Sequence, residues 1–434
     1  MLKAMYTLLV LADDLTGALD TGLQFSKKGI PTQVYPGLGG SREPGKGEAP
    51  FPAGAEGTLV INTATRHCSS AAALRITGGI LERYSAVPYV YKKTDSTLRG
   101  NIGAELEALI RARNPKVLPF IPAYPNLGRS TRQGRQYIDG VPIDKAASDA
   151  LNPLRHSFIP DIIAEESELP VRLVSGNSFT GDPGEIPGGT GPEIWVYDAE
   201  SNARLRDIAR SLGERKLLGT TAGCAGFAEF LADRIPFAGM GRASFSGPEK
   251  DLIPASRPLL VICGSRHPVS LIQVKAAQDA GIPALAVEGD KLFRPRWLEG
   301  EEAASIVSRC GELLRAAGCC ILGTRISLGF EGDGPPQGPS VAGFLGKLTA
   351  LILERSGPLH LAVFGGDTLL GIIEALGCRL LHPLREIRPG VVLAGADFPG
   401  GTFFIASKSG AFGEPGLIVE LVNFFGGDAA AFTK

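Results

Sequence analysis

Two adjacent carboxylates, Asp13 and Asp14, follow the apolar run Tyr6 to Ala12 and open the turn Asp-Asp-Leu-Thr-Gly. One Asp or Thr is enough to cap a following helix, so the pair exceeds the capping need and points to chemistry. A second concentration runs Lys92-Lys93-Thr94-Asp95-Ser96-Thr97-Leu98-Arg99-Gly100-Asn101. Its mix suits a polyhydroxylated anion: Lys93 and Arg99 for a carboxylate, Asp95 for a hydroxyl, Ser96 and its neighbours for the rest. A third, Ile121-Pro122-Ala123-Tyr124-Pro125-Asn126-Leu127-Gly128-Arg129, carries a planar donor fork on a loop stiffened by two prolines. Arg66, in Asn62-Thr63-Ala64-Thr65-Arg66, makes a fourth. A solvated loop or a surface arginine explains each one singly. All four follow apolar runs in the same half of the chain, and ligands of open parallel sheets bind beyond the carboxyl ends of strands.

The second half carries different chemistry. Cys263-Gly264-Ser265-Arg266 and Phe364-Gly365-Gly366-Asp367-Thr368 each end an apolar run and precede a helical pattern. Ser407-Lys408-Ser409-Gly410-Ala411-Phe412-Gly413 follows the run Phe403 to Ala406. Phosphate oxygens meet backbone N–H groups and the positive helix end at such places. Each turn alone is a weak signal; together they describe a polyphosphate cradle. Gly346-Lys347 lacks the spacing of a Walker loop, and no GxGxxG follows a strand. No GxSxG elbow argues for a hydrolase. His67, His156, His267, His360 and His382 have no metal-ligand spacing and read as neutral structural residues.

These groups need elements to hold them. Runs at Tyr6 to Ala12, Leu59 to Asn62, Tyr89 to Lys92 and Val117 to Ile121 predict buried strands. Gly17 to Lys28, Ala71 to Tyr84 and Ala104 to Arg113 predict helices between them. The pattern loosens from Arg155 to Glu193, then resumes with strand Ile194 to Asp198 and helices at Ala203 to Leu212 and Gly226 to Ala232. A Gly, Pro, Ser and charge-rich run, Phe237 to Ser256, reads as a linker and hinge. Beyond it, strands at Leu259 to Cys263, Ala284 to Val287, Cys320 to Leu322 and Leu361 to Phe364 alternate with helices at Val269 to Ala280 and Ala303 to Ala317. A Gly/Pro excursion at Gly332 to Pro339 interrupts that series. The expectation is α/β: two domains, 1–240 and 256–434, each a mainly parallel sheet covered by helices.

At 434 residues the chain exceeds one hydrophobic core. With 44 Lys and Arg against 45 Asp and Glu, the formal charge is −1, which points to neither nucleic acid nor an anionic membrane. No apolar run reaches the roughly 18 residues of a spanning helix. The seven cysteines are scattered without a CxxC pair, so a reducing, cytoplasmic setting is expected. Homo-oligomer formation is compatible with the sequence and not fixed by it.

Taken in order, these motifs resemble the four-carbon acid sugar kinase family. Ala12 to Ala18 with Asp20, Lys93 to Asn101, and Pro122 to Arg129 resemble its acid-sugar-binding amino-terminal domain. Gly264-Ser265, Gly365 to Thr368 and Lys408 to Gly413 resemble its nucleotide-binding carboxyl-terminal domain. The resemblance covers essentially the whole chain. It implies ATP-dependent phosphorylation of threonate, erythronate or a 3-oxo-tetronate, with Mg2+ as charge neutraliser. Ser265, Gly365, Gly366, Asp367, Thr368, Lys408 and Gly410 would contact ATP; Asp13, Arg66, Lys93, Ser96, Arg99 and Arg129 would hold the acid; Asp95 or Asp14 would accept the proton. Where the family usually has a second glycine this chain has Ala411, and His267 stands where Ser or Asn is usual. The rival expectations are an NAD-type oxidoreductase and a non-catalytic sugar-acid sensor. The missing dinucleotide fingerprint weighs against the first, and the phosphate-cradle turns weigh against the second.

Overall fold

A computed structural model describes residues 6–37, 57–146, 154–175, 191–237, 257–288, 296–324, 341–399 and 401–426. The chain divides into two compact units, Met1–Ser244 and Phe245–Lys434. Most of the expected hinge, and the excursion at Gly332 to Pro339, lie outside the described residues.

The first unit opens with strand β1 (Tyr6–Ala12), helix α1 (Leu15–Ser26), β2 (Thr32–Tyr35), β3 (Gly57–Asn62), α2 (Ser70–Arg83), β4 (Tyr89–Lys93), α3 (Ile102–Arg113) and β5 (Val117–Ile121). A small antiparallel sheet follows, of β6 (Arg129–Arg132), β7 (Arg135–Ile138) and β8 (Val141–Pro142). Then come α4 (Ile159–Ala164), β9 (Val171–Val174), β10 (Glu193–Tyr197), α5 (Asn202–Glu214), β11 (Thr220–Gly223) and α6 (Ala225–Leu231). The main strands pair in the order β2-β3-β1-β4-β11-β5-β10-β9, every pair parallel. Near-continuous apolar strands such as Tyr-Thr-Leu-Leu-Val-Leu-Ala are what a sheet covered on both faces requires.

Register decides what meets at the carboxyl edge. Ala12 pairs with Asn62 on one side and Lys93 on the other. Lys93 is also opposite Gly223, and Gly223 is opposite Ile121. The loops that follow β1, β3, β4 and β5 therefore leave the sheet at one level. Because β2 and β3 lie on one side of β1 and β4 on the other, this edge is a switch point in strand order, where such sheets bind ligands.

The second unit contains β12 (Leu259–Cys263), α7 (Pro268–Asp279), β13 (Ala284–Val287), α8 (Glu301–Ala317), β14 (Cys319–Thr324), α9 (Val341–Ser356), β15 (His360–Phe364) and α10 (Gly366–Ala375). It ends with β16 (Leu380–Arg388), β17 (Val391–Phe398), β18 (Gly401–Lys408) and α11 (Leu417–Phe424). Strands β13-β14-β12-β15-β18 are parallel. Here the alternation expected from the sequence ends: β16, β17 and β18 form an antiparallel meander. The connections are too short for a parallel crossover, and Gly390 turns the first of them at φ +76°.

Gly346-Lys347 sits in the middle of α9, so the pair is helical packing and not a phosphate loop. A Cβ on Gly346 would lie 2.0 Å from the Gly371 carbonyl oxygen, and one on Gly371 would lie 2.2 Å from that of Ala342. Backbones of α9 and α10 touch only because both positions are glycine. Among the described residues no helix is long and apolar enough to cross a membrane. Gly346→Val should lower the unfolding free energy by about 3 kcal/mol in urea titration. Gly78→Ala, on α2 with nothing within 4 Å of the added Cβ, should raise it by about 0.5–1 kcal/mol.

Candidate active site

Helix α1 begins at Asp14, whose side chain accepts a hydrogen bond from Gly17 N (2.9 Å) and another from Thr16 Oγ1 (2.7 Å). Asp14 is therefore the helix cap, and it is also more than that. The Arg66 guanidinium reaches it through NH1 (2.8 Å), reaches Asp13 through Nε (2.7 Å), and lies 3.6 Å from Asp95 Oδ1. One buried cation is shared by three aspartates. Asp95 is held again by Arg99, through Nε (2.7 Å) and NH2 (3.1 Å), and by the Thr97 hydroxyl.

The electrostatics follow from this sharing. Burial pushes the Asp14 carboxyl up, but the Arg66 and Lys93 charges and the Thr16 hydrogen bond outweigh it and hold it below the usual range. Burial opposes ionisation of Asp95 too, and Arg99 and Arg66 overcome it, leaving that carboxyl well below the usual range. Arg66, disfavoured by burial, is held well above its ordinary value by Asp13, Asp14 and Asp95. Arg99 is raised chiefly by Asp95.

Two glycines make room for the cluster. A Cβ on Gly17 would stand 2.5 Å from Asp14 Oδ1 and 2.7 Å from Lys93 Nζ, which places the Lys93 ammonium at the first turn of α1. Gly100 takes φ +90°, a backbone conformation that favours glycine, and a Cβ there would stand 3.5 Å from Arg66 Cα. Arg129, at the start of β6, donates to the Leu127 carbonyl; burial lowers its basicity, and it feels the charges of Asp139, Asp95 and Arg99. The sequence-predicted residues Asp13, Asp14, Arg66, Lys93, Asp95 and Arg99 are thus brought together, with Arg129 within electrostatic reach. Ser96 is buried beside them, its carbonyl held from below.

That hold comes from Gln136, which the sequence reading did not single out. Its fully buried amide donates to the carbonyls of Ser96 (2.9 Å) and Pro122 (3.1 Å), tying the loop after β4 to the loop after β5. Its own oxygen accepts from Thr131 Oγ1 (2.7 Å). Glu105 was missed as well. It forms a 2.9 Å ion pair with Lys92, both side chains essentially without solvent, and accepts from the Thr65 hydroxyl one residue before Arg66. Burial pushes the Glu105 carboxyl up, against the pull of Lys92. A signal existed: Ile102, Glu105, Leu106 and Leu109 follow the i, i+3, i+4, i+7 spacing of a buried helical stripe, and an acid there needs a partner.

In the second unit Ser265, Gly365, Thr368 and Gly410 converge. A Cβ on Gly264 would fall 2.0 Å from Thr368 Oγ1, and one on Gly410 would fall 2.5 Å from Ser265 Oγ. Gly365 takes φ +115°, open only to glycine, and opens α10 as its cap; Gly366 and Asp367 form that helix's first turn. These close approaches leave a cradle of backbone and small hydroxyls that fits a phosphate chain. Lys408 faces the other way. Its Nζ donates to Ser270 Oγ (3.0 Å) and to the carbonyls of Ser409 (3.2 Å) and Gly410 (3.1 Å). Burial pulls its amine down to about 7.

Side-chain charges gather at strand ends in the first unit and close backbone turns gather in the second, and comparison with known proteins gives the class of such a chain. Residues 8–231 match the family model described as a sugar-binding N-terminal domain, and residues 260–418 match that described as a nucleotide-binding C-terminal domain. The chain belongs to the four-carbon acid sugar kinase family, whose members transfer a phosphoryl group to an alcohol. A D-threonate kinase from Salmonella typhimurium is 30% identical over 450 residues, covering 96% of this chain and 98% of that one. A 3-oxo-tetronate kinase from Cupriavidus necator is 26% identical, covering 96% of each. A solved structure of a Haemophilus influenzae protein, 19% identical, has the same fold at a TM-score of 0.65, covering 96% of this chain and all of that one.

Arg66→Met would leave Asp13, Asp14 and Asp95 without their shared cation, and should cost about 3–5 kcal/mol of stability at pH 7 by urea titration. The folded-state carboxyls of Asp14 and Asp95 lie below their unfolded values. The stability they supply is therefore present above an unfolded pKa of about 4 and lost as pH falls through the folded values. The gap between wild type and Arg66→Met should narrow below about pH 4. An equal gap at pH 7 and pH 3.5 would refute the shared-cation account.

Proposed function

We propose that this chain transfers the γ-phosphoryl group of ATP to a hydroxyl of a four-carbon sugar acid of the threonate, erythronate or 3-oxo-tetronate type, the first unit binding the acid and the second the nucleotide. The observation that carries the reading is the convergence of Arg66, Arg99 and Lys93 with Asp13, Asp14 and Asp95 at adjacent strand ends. That is a donor and acceptor set matched to a small hydroxylated carboxylate. The names of the relatives support the same substrate class.

Phosphoryl transfer asks a protein for in-line positioning and neutralisation of oxygen charge, with little covalent chemistry. In this reading Lys93, Arg99 and Arg129 orient the acid's carboxylate and hydroxyls, with Asp13, Arg66 and Ser96 completing the pocket. The incoming carboxylate competes for the guanidiniums that now hold Asp95 and Asp14. One of these two then accepts the attacking hydroxyl's proton through the oxygen it regains. The Ser265, Gly365 to Thr368 and Gly410 groups receive the phosphates. Among the described residues no group of three or more His, Cys, Asp or Glu is placed to hold a metal ion. A Mg2+ that accompanied the phosphates would supply charge neutralisation there. The seven cysteines are all free thiols, which supports a reducing compartment.

A coupled ADP-release screen over D- and L-threonate, D-erythronate and 3-oxo-tetronate tests the reading. One acid should exceed the others in kcat/KM by about tenfold or more. Tight acid binding without turnover of any of them would favour a sensor and end the kinase reading. With the best acid, Asn replacement of the base should lower kcat by about 10²–10⁴-fold. Asn replacement of the other aspartate should mainly raise KM for the acid. If neither Asp14→Asn nor Asp95→Asn slows turnover, the base is elsewhere.

A further inference from the structure

The turn Ser409 to Glu414 is hydrogen-bonded in an unusual direction. Its carbonyls are gathered by side chains packed behind it. Ser270 Oγ, on α7, donates to Gly410 O (2.9 Å). Gln273 Nε2, one helical turn further along, lies 3.0 Å from Phe412 O, 2.8 Å from Gly413 O and 3.1 Å from Glu414 O. Lys408 Nζ adds Ser409 O and Gly410 O. Ser270 and Gln273 are fully buried, and Lys408 is 1% exposed.

The Gln273 amide can face only one way, because its reversal would press an oxygen against three carbonyl oxygens. That orientation leaves Gln273 Oε1 buried without a hydrogen bond, a cost an apolar residue would not incur. A trans peptide points its N–H opposite to the carbonyl that precedes it. With the carbonyls of Ser409, Gly410, Phe412 and Gly413 drawn to one side, the N–H groups of Gly410, Ala411, Gly413 and Glu414 turn to the other. Residue 415 is proline and has no N–H to misdirect. A Cβ on Gly410 would stand 2.5 Å from Ser265 Oγ, so the turn lies directly against the Gly264–Thr368 cradle. Successive amides turned outward in this way form an anion-binding concavity.

We propose that Gln273, Ser270 and Lys408 are positioning residues that hold this turn carbonyl-side-in, so that its amides face the nucleotide's phosphates. Lys408 thereby acts through the turn and does not touch the phosphates. The inference rests on the reading of Gly410 as a nucleotide contact, and it assigns the affinity of that contact to three side chains behind it.

The test compares the full-length chain with Gln273→Met, Ser270→Ala, Ser270→Thr, Lys408→Met and Gly410→Val. Steady-state ADP release is measured against ATP and against the acid, and ATP binding is measured by calorimetry. Gln273→Met should raise KM and Kd for ATP by about tenfold, while kcat and KM for the acid stay within about threefold. Ser270→Ala should raise KM for ATP about threefold to tenfold, and Ser270→Thr, which keeps the hydroxyl, should restore it. A general loss of stability would instead move both KM values together or lower the active fraction alone, and that result overturns the proposal. If Gln273→Met fails to fold, the smaller Ser270 pair decides. Weakened ATP binding in Gly410→Val with none in the Gln273 and Ser270 variants removes this inference and leaves the nucleotide site standing. Unchanged ATP binding in Gly410→Val removes the nucleotide reading itself.

Discussion

Three carboxylates brought out of water at the ends of adjacent parallel strands would repel one another and remain unsolvated, each at a cost of several kcal/mol, unless a cation is held among them. Arg66 is that cation, and much of the first unit can be understood as what it takes to keep its guanidinium in place. The pairing of Ala12 with both Asn62 and Lys93 brings the loops of β1, β3 and β4 to one level, so that a side chain four residues beyond β3 can meet acids at the ends of the other two. Gly100 supplies the φ of +90° with which the β4 loop turns beside Arg66, and Gly17 lets Asp14 and Lys93 approach the start of α1. Beneath lies a second buried ion pair, Lys92 with Glu105, which anchors Thr65 and so the loop that carries Arg66. The two layers meet through the Thr65 hydroxyl on Glu105, one residue before Arg66. This interdependence is the physical content of a preorganised site.

What could be read from the sequence divides along the range of the interaction. Strands β1, β3, β4 and β5, and the helices between them, rest on local apolar periodicity and local caps, and they stand within a few residues of their expected ends. The strand-end rule then gathered Asp13, Asp14, Arg66, Lys93, Asp95 and Arg99 correctly, because in a parallel sheet the chain direction alone says which loops share an edge. Capping accounts for only part of Asp14, which accepts from Gly17 N and also pairs with Arg66. Glu105 was readable as an acid on a buried helical stripe. Gln136 was not, since its role depends on where the β6-β7-β8 excursion folds back, and nothing local encodes that. Likewise the β16-β17-β18 meander differs from a parallel series only in the brevity of its turns.

In the proposed reading the two units deal with anions by different physical means. The first uses formal charges on side chains, fixed by mutual pairing. The arrangement discriminates by geometry: an incoming carboxylate must replace an aspartate on a guanidinium fork without disturbing the remaining pairs. The second uses backbone dipoles at Gly264, Gly365 and Gly410, backed by small hydroxyls, with its Lys408 ammonium turned onto carbonyls. Backbone amides satisfy phosphate oxygens without adding formal charge, so they neutralise less and release more readily. In the proposed reaction a triphosphate binds and a diphosphate leaves, and a modest hold is then the useful one, since product release limits many such enzymes.

The ionised state of Asp14 and Asp95 bears on what catalysis here has to do. Guanidinium contacts that keep both carboxyls below their ordinary values also make them weak bases, which would be a poor choice if the reaction needed a proton removed before attack. Phosphoryl transfer through a loose transition state does not need that. The hydroxyl's proton becomes acidic only as its bond to phosphorus forms, and a weak acceptor in the right place is then sufficient. The same close pairing that lowers the carboxyls' basicity fixes their position, and for the proposed reaction position is worth more than basicity. An aspartate locked by arginine is consistent with a catalyst whose work is to hold a short acid still.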